Sequence, residues 1–289
     1  MMESPPASPQ PSPWFQTVRR LESLLYRGGW AVRLARAVGM RPEVKVSAHT
    51  VETSAIPQGR ALRIAFASDF HAGPTTDPQV VAAACRAIVA SRPDVVLLGG
   101  DFVNFEPQAI DEITGDLRSL AGVAPCYAVL GNHDWVAGPD QIRGHLESLG
   151  IEVLLSRNVQ LAPPFERVWI CGLDDHWSGS PDADAALSSA GECRIVLMHS
   201  PSGLLDIGDH RFQLALCGHT HGGQIALPGG RPIVLPNGPL SRRYARGRFE
   251  LPGGRTLIVS TGIGCALLPI RLNADPDVLL CTLVPPGAV

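Results

Sequence analysis

"IAFASDFH", residues 64–71, is an apolar run that breaks off at a carboxylate and an imidazole, Asp69 and His71. A continuous apolar run, without polar alternation, marks a strand covered on both faces. The abrupt change to Asp and His marks the point where that strand leaves the core. The same pattern recurs four times. "VVLLGGD" ends in Asp101, "YAVLGNHD" in Asn132, His133 and Asp134, "IVLMHS" in His199, and "LALCGHTH" in His219 and His221. Helical spacing falls between these runs, near 77–91, 107–120, 139–149 and 181–189. Strand–helix alternation with continuous apolar strands predicts an α/β fold whose buried β-layers are flanked by helices. Ligands of open α/β sheets gather beyond the carboxyl ends of strands, and five strand ends here deliver metal-competent side chains. "VKVSAHTVET" alternates as a further strand. After Gly218 the helices are expected to stop, and "GGQIALP", "RGRFEL", "RTLIVSTG" and "DVLLCTLVP" read as strands joined by Gly/Pro turns.

The bulk numbers fit this picture. A chain of 289 residues, 45% apolar and 18% charged, can bury a sizeable core. A net charge of −3 argues against nucleic-acid binding. The charge is uneven, however: Trp14 to Arg41 holds six Arg and a single acid, Glu22. Trp14, Val18, Leu21 and Leu25 follow helical spacing, as do Ala31, Leu34, Ala35 and Val38, with Gly28 and Gly29 as a break between them. Residues 14–42 are therefore expected to form a basic helical arm. It either lies on an anionic membrane or packs on its own domain. The Pro/Ser-rich residues 1–13 are expected to be a disordered tail, and 43–289 one domain. No secretory signal and no membrane span are expected, which predicts a cytoplasmic protein with peripheral contact at the inner face of the plasma membrane through 14–41 in the membrane reading. Seven Cys without a C-x-x-C pair predict buried thiols in a reducing compartment.

The polar set narrows the chemistry. Carboxylates, imidazoles and one amide oxygen, with no Cys, suit Mn²⁺, Fe or Zn²⁺ in an open catalytic site rather than a structural zinc. The ligands are too many for one ion. Two divalent ions can clamp the attacking and leaving oxygens of an in-line displacement at phosphorus.

Asp69-Phe70-His71, Gly100-Asp101, Gly131-Asn132-His133-Asp134, the lone His199 and Gly218-His219-Thr220-His221 resemble, in this order, the signature of the calcineurin-like metallophosphoesterase superfamily. "GHTHGGQI" and the late "STGIG…PIRLNADP" are similar to its small bacterial phosphohydrolase and phosphodiesterase branch. The resemblance covers about residues 43–289 and implies a four-layer α/β/β/α sandwich with a mixed two-sheet core. It implies one metal on Asp69, His71 and His221, a second on Asn132, His199 and His219, and Asp101 bridging the two. It further implies hydrolysis of a phosphoester, phosphodiester or pyrophosphate bond by a metal-bridging hydroxide. His133 would stabilise or protonate the leaving oxygen, and Asp134 would orient its ring. One position departs: "GDFVN" carries Asn104 where many relatives have Asp. That position is not a ligand, but local hydrogen bonding should differ there.

The substrate is less legible. Arg242, Arg243, Arg246 and Arg248 in "SRRYARGRFE" suit phosphate oxygens or a solvated hairpin face. Trp135 and His176-Trp177 fall in loops near strand ends, where they would line a pocket or simply pack. Some members of the branch cleave the pyrophosphate of UDP-2,3-diacylglucosamine in lipid A synthesis, and a basic arm would suit such a lipid-linked substrate. A non-catalytic metal-bound scaffold is the reading from a different class, opposed by the complete set of catalytic positions.

Overall fold

A computed structural model describes residues 13–37, 39, 43–236 and 238–288. The tail expected over 1–13 falls outside the described residues except for Pro13, and Val38 falls outside them too. Among the described residues twelve strands form two six-stranded sheets. The first contains β1 (Lys45–Glu52), β2 (Leu62–Ala67), β3 (Val95–Leu98), β4 (Cys126–Ala128), β5 (Ile151–Val153) and β12 (Asp277–Val284), in the order β1-β12-β2-β3-β4-β5. The second contains β6 (Arg157–Gln160), β7 (Val168–Gly172), β8 (Cys193–Leu197), β9 (Leu214–Cys217), β10 (Gly247–Leu251) and β11 (Arg255–Val259), in the order β10-β11-β9-β8-β7-β6. Both sheets are mixed: β2, β3, β4 and β5 are parallel, as are β7, β8, β9 and β11, while β12 runs antiparallel to β2.

The two-residue period of a strand builds the layers. Leu62, Ile64 and Phe66 of β2 point between the sheets, where they meet Ile170, Ile195, Leu214 and Ile258. Ala65 and Ala67 point the other way, onto Val81, Ala84 and Ile88 of α3 (Pro78–Ser91). Leu117 and Leu120 of α4 (Thr114–Ala121) and Ile142 and Leu146 of α6 (Pro139–Ser148) complete that outer layer. Between α4 and α6 lies the short α5 (Asn132–Ala137). Val196, Ala215 and Val259 face out from the second sheet onto Leu187 of α7 (Ala183–Leu187) and Ile207 of α8 (Gly203–Ile207). The result is the four-layer α/β/β/α sandwich. All seven Cys are buried, most of them in these layers.

Some elements differ from the sequence expectations. Residues 107–120 begin as a 3₁₀ segment, Pro107–Ile113, and only then become α4. "GGQIALP" is a loop with single bridges at Ile225 and Ala226. Gln224 sits there at φ 54, and its amide holds the carbonyls of Ala266 and Leu268 instead of joining a ladder. The short edge strands β5 and β6, "IEV" and "RNVQ", have too few apolar residues to announce themselves.

The N-terminal segment forms α1 (Pro13–Leu25) and α2 (Trp30–Ala37), with Gly28 at φ 72 in the kink between them. Polar contacts among the described residues tie it down. Arg36 pairs with Asp77, the N-cap of α3, and Glu22 is buried against Asn104. Among the described residues no helix is long and apolar enough to cross a membrane.

Candidate active site

The site lies where both sheets present carboxyl ends. Backbone pairing continues past β2 and β3: Asp69 N donates to Gly100 O at 2.9 Å and His71 N to Asp101 O at 2.9 Å. Phe70, between Asp69 and His71, stacks on Phe102 at 5.4 Å, and both rings are fully buried. Such a pair stabilises by roughly 0.5–1.5 kcal/mol beyond its area burial. It locks the two carboxylate-bearing turns together beneath the site. On the second sheet Gly218 N donates to His199 O at 2.9 Å, which joins the ends of β8 and β9.

Seven predicted ligands converge. His71 Nε2 and His221 Nε2 are 3.0 Å apart, and Asp69 Oδ1 is 3.5 Å from His221 Nε2. On the other side His199 Nε2 is 3.1 Å from Asn132 Oδ1 and 3.2 Å from His219 Nδ1. Asp101 stands between the groups, with Oδ2 3.4 Å from His71 Nε2 and 3.3 Å from His199 Nε2. Asp69, His71 and His221 form one set that could hold a metal ion, and Asp101, His199 and His219 another.

The donor chemistry fits a cation. Buried imidazole nitrogens facing each other at 3.0 Å repel when both are charged. Burial, joined by the charge of His133 at His71 and of His71 at His221, holds both rings well below the ordinary histidine range. Neutral rings aimed at carboxylates are what a metal takes. Burial pushes Asp101 upward, but the neighbouring His199 and His133 outweigh it and hold its carboxyl well below the carboxylate range. His199 Nδ1 lies 2.8 Å from Gly99 O, which turns Nε2 toward the cluster.

The backbone is bent to make this possible. Asp69, His71, Asp101, His219 and His221 all have φ between 44 and 69. Such non-glycine residues are uncommon and cluster at functional sites. Gly131 is required by close approach: a Cβ there would lie 2.2 Å from Asp101 Oδ1 and 2.7 Å from His199 Cε1.

Residues 62–223 match the calcineurin-like phosphoesterase family. The chain belongs to this family. Calcineurin-like phosphoesterases are hydrolases of phosphoester bonds, and the metal-binding cluster accords with that class. Phosphodiesterase YaeI of Escherichia coli (strain K12) is 34% identical over 77% of this chain and 82% of its own length. The uncharacterized metallophosphoesterase YkuE of Bacillus subtilis (strain 168) is 29% identical, covering 83% of this chain and 85% of its own. A 5'-nucleotidase precursor from Thermus thermophilus is similar at TM-score 0.46 and 16% identity, over 77% of this chain and 55% of its own.

His133 lies against the cluster, its ring at 89° to His71 with centroids 4.7 Å apart. Its backbone N donates to Asp101 Oδ1 at 2.9 Å. Asp134 does not orient its ring. The Asp134 carboxylate accepts from the amides of Phe102, Val103 and Gly131, bracing the turns after β3 and β4. A third residue in a helical turn points its side chain away from the second, so Asp134 reaches backbone instead of imidazole. The carbonyl of Asn104 does the orienting, 2.5 Å from His133 Nδ1.

The four substrate-side expectations fare unevenly. Trp135 Nε1 donates to Asp174 Oδ1 at 3.0 Å, and His176 Nδ1 is 2.7 Å from Asp206 Oδ2. Arg242 is exposed, and Arg243 lies over the Tyr244 ring at 5.3 Å. The segment carrying both adjoins the site through Thr220 Oγ1, which donates to Ala245 O at 2.6 Å. Arg246 and Arg248 are occupied by backbone carbonyls at Asn273 and Thr50. Two further residues escaped the sequence reading. Asp175 follows β7, is 1% exposed, and interacts electrostatically with His199 and Asp101. "VWICGLDD" carries the same strand-end signal as the other five. Arg271 reaches the site from a distant loop, with Nη2 3.2 Å from His221 Nδ1.

Proposed function

We propose that this protein is a phosphodiesterase working with two divalent ions, Mn²⁺, Fe²⁺ or Zn²⁺. Asp69, His71 and His221 would hold one, and Asn132, His199 and His219 the other. The observation that carries this is the position of Asp101: one carboxylate oxygen faces a histidine of each set at 3.4 and 3.3 Å. When bound, the ions supply charge neutralisation at the phosphoryl oxygens and an acidified water. The chain's own residues do the rest. Asp101 spaces the two sets. His133, with Nδ1 committed to the Asn104 carbonyl, presents Nε2 to the leaving oxygen and delivers its proton. The likeness to phosphodiesterase YaeI supports a diester over a monoester substrate.

His133→Ala is expected to lower kcat by about 10²–10⁴-fold with metal content unchanged. Asp101→Ala should lose both turnover and metal. Retained turnover in Asp101→Ala opposes the two-ion reading, and metal without turnover in the wild type supports a scaffold.

A lipid-linked pyrophosphate, UDP-2,3-diacylglucosamine being one, is the second reading. The arm favours it. Leu21, Leu24, Leu25, Trp30 and Leu34 are exposed beside Arg20, Arg27 and Arg33. Across a cleft of about 340 Å³ from Val32 and Ala35 of α2 lie Ile270 and Leu272, which are exposed as well. Exposed leucines among arginines suit an anionic bilayer. Co-sedimentation with phosphatidylglycerol vesicles, but not phosphatidylcholine vesicles, is expected, and Leu24→Asp/Leu25→Asp should abolish it. Equal recovery of this variant with the anionic vesicles rejects arm docking.

A further inference from the structure

The only acid in the basic segment from Trp14 to Arg41 is also its most buried charged side chain among the described residues. Glu22 is 5% exposed, while Leu21, Leu24 and Leu25 beside it are open to solvent. An acid on an amphipathic arm normally belongs on the wet face. This one points into the domain and accepts a hydrogen bond from Asn104 Nδ2. Asn104 is itself 1% exposed, and Nδ2 also lies 3.3 Å from Thr75 Oγ1. The main-chain carbonyl of the same residue holds His133 Nδ1 at 2.5 Å. One residue therefore touches the arm with its side chain and the proposed leaving-group histidine with its backbone.

We propose that Glu22 is a positioning residue for His133, and that α1, by docking Glu22 on Asn104, sets the imidazole for leaving-group protonation. This rests on the role given to His133 above. The physical argument has two parts. The carbonyl of Asn104 can orient His133 only if the Asn104 backbone is held: its amide donates to Ala72 O at 3.1 Å, and its side chain is the second handle. Burying a carboxylate against an amide is costly unless hydrogen bonds are made, so the contact is one that packing alone would not select. Glu22 Oε2 and Asn104 Oδ1 are both buried without a partner. A single proton on Glu22 would turn one of these acceptors into a donor, and burial does push Glu22 up to about 7. The identity of residue 104 fits the same account. Asp, which the family signature often carries here, would set two carboxylates against each other. Asn supplies the donor that Glu22 needs.

The test uses the full chain loaded with Mn²⁺ and two diesters of unequal leaving groups, bis(p-nitrophenyl) phosphate and diphenyl phosphate. A group that protonates the leaving oxygen matters more for the poorer leaving group, phenol. His133→Ala should therefore lose more kcat on diphenyl phosphate than on the nitrophenyl ester. Glu22→Ala should show the same asymmetry, with a loss of about tenfold on diphenyl phosphate, a smaller loss on the other ester, and KM within about twofold. Glu22→Gln keeps an acceptor and should retain the wild-type ratio. Asn104→Asp should reproduce the asymmetric loss, and Glu22→Gln/Asn104→Asp, which exchanges donor and acceptor, should restore the ratio. Equal losses on both esters in Glu22→Ala, or a double variant no better than Asn104→Asp, overturn the proposal. The double variant decides even where Glu22→Ala fails to fold. Equal losses in His133→Ala instead overturn the assignment of His133 itself.

Discussion

Single residues carry most of the chemistry, and the candidate metal ligands are the most legible of them. Asp69, His71, Asp101, Asn132, His199, His219 and His221 each follow an apolar run, so the switch in polarity marks both the strand end and the candidate ligand. Asp175 carries the same mark, although its run ends in a loop whose aromatic side chains, His176 and Trp177, are the more conspicuous signal. The partner of His133 was not legible: a main-chain carbonyl leaves no trace in residue identity, and Asp134, the obvious candidate, is engaged by three amides. Gly131 shows how tight the cradle is. Gly131→Ala would force a Cβ to 2.2 Å from Asp101 Oδ1. A displacement of about 1 Å at a reacting site can cost about 10²-fold in rate. Activity is expected to fall by that order, together with bound metal measured by elemental analysis. Unchanged metal content and turnover would show that the turn after β4 has slack.

At the scale of elements, the sequence leaves two alternatives for the arm, lying on a membrane or packing on its own domain, and the structure shows contacts with the domain while Leu21, Leu24 and Leu25 stay exposed. Glu22 makes one of these contacts, and its signal is present as the lone acid among six Arg. Its protonation gives docking a pH dependence with a defined sign. The docked group titrates at about 7 and the ordinary one at 4.5, so the docked form holds a proton the free form has lost. The contribution is fully present below 4.5 and is lost as pH rises through about 7. The immediate neighbours of the carboxyl, Thr75 and Asn104, are uncharged, and among the described residues the arm is also tied by the Arg36–Asp77 pair. Hydrogen exchange over residues 13–37 is expected to quicken across that interval. In Glu22→Gln it should vary only with the intrinsic chemistry of exchange. Identical protection profiles in the two proteins would remove Glu22 as the cause.

Across the whole molecule, the site exists only when both sheets are in register. The ends of β2, β3 and β4 supply candidate ligands from one, those of β8 and β9 from the other. A metal bound there is bound by the native state alone, and a ligand at a hundred times its Kd adds about 2.7 kcal/mol of stability. Chelation is therefore expected to lower Tm by about 5 °C or more, reversibly on adding Mn²⁺. A Tm indifferent to chelator would oppose the cluster as an ion site. The layered architecture was legible because strand runs and helical spacing alternate. The pairing order was not, since β1 and β12 meet across most of the chain with no local pattern to announce it.

That pairing bears on how the protein is made. β12 sits between β1 and β2, joined to β1 from Lys45↔Asp277 to Glu52↔Val284 and to β2 from Leu279↔Phe66 to Leu283↔Leu62. A ribosome that has translated as far as residue 276 has therefore made every candidate ligand, yet the first sheet still has a slot one strand wide. Both margins of the slot carry unpaired amides and carbonyls, the kind of edge that recruits other chains. Until residues 277–284 emerge, the nascent chain is a sticky intermediate, and a message truncated there would yield a product prone to aggregate rather than a weaker enzyme.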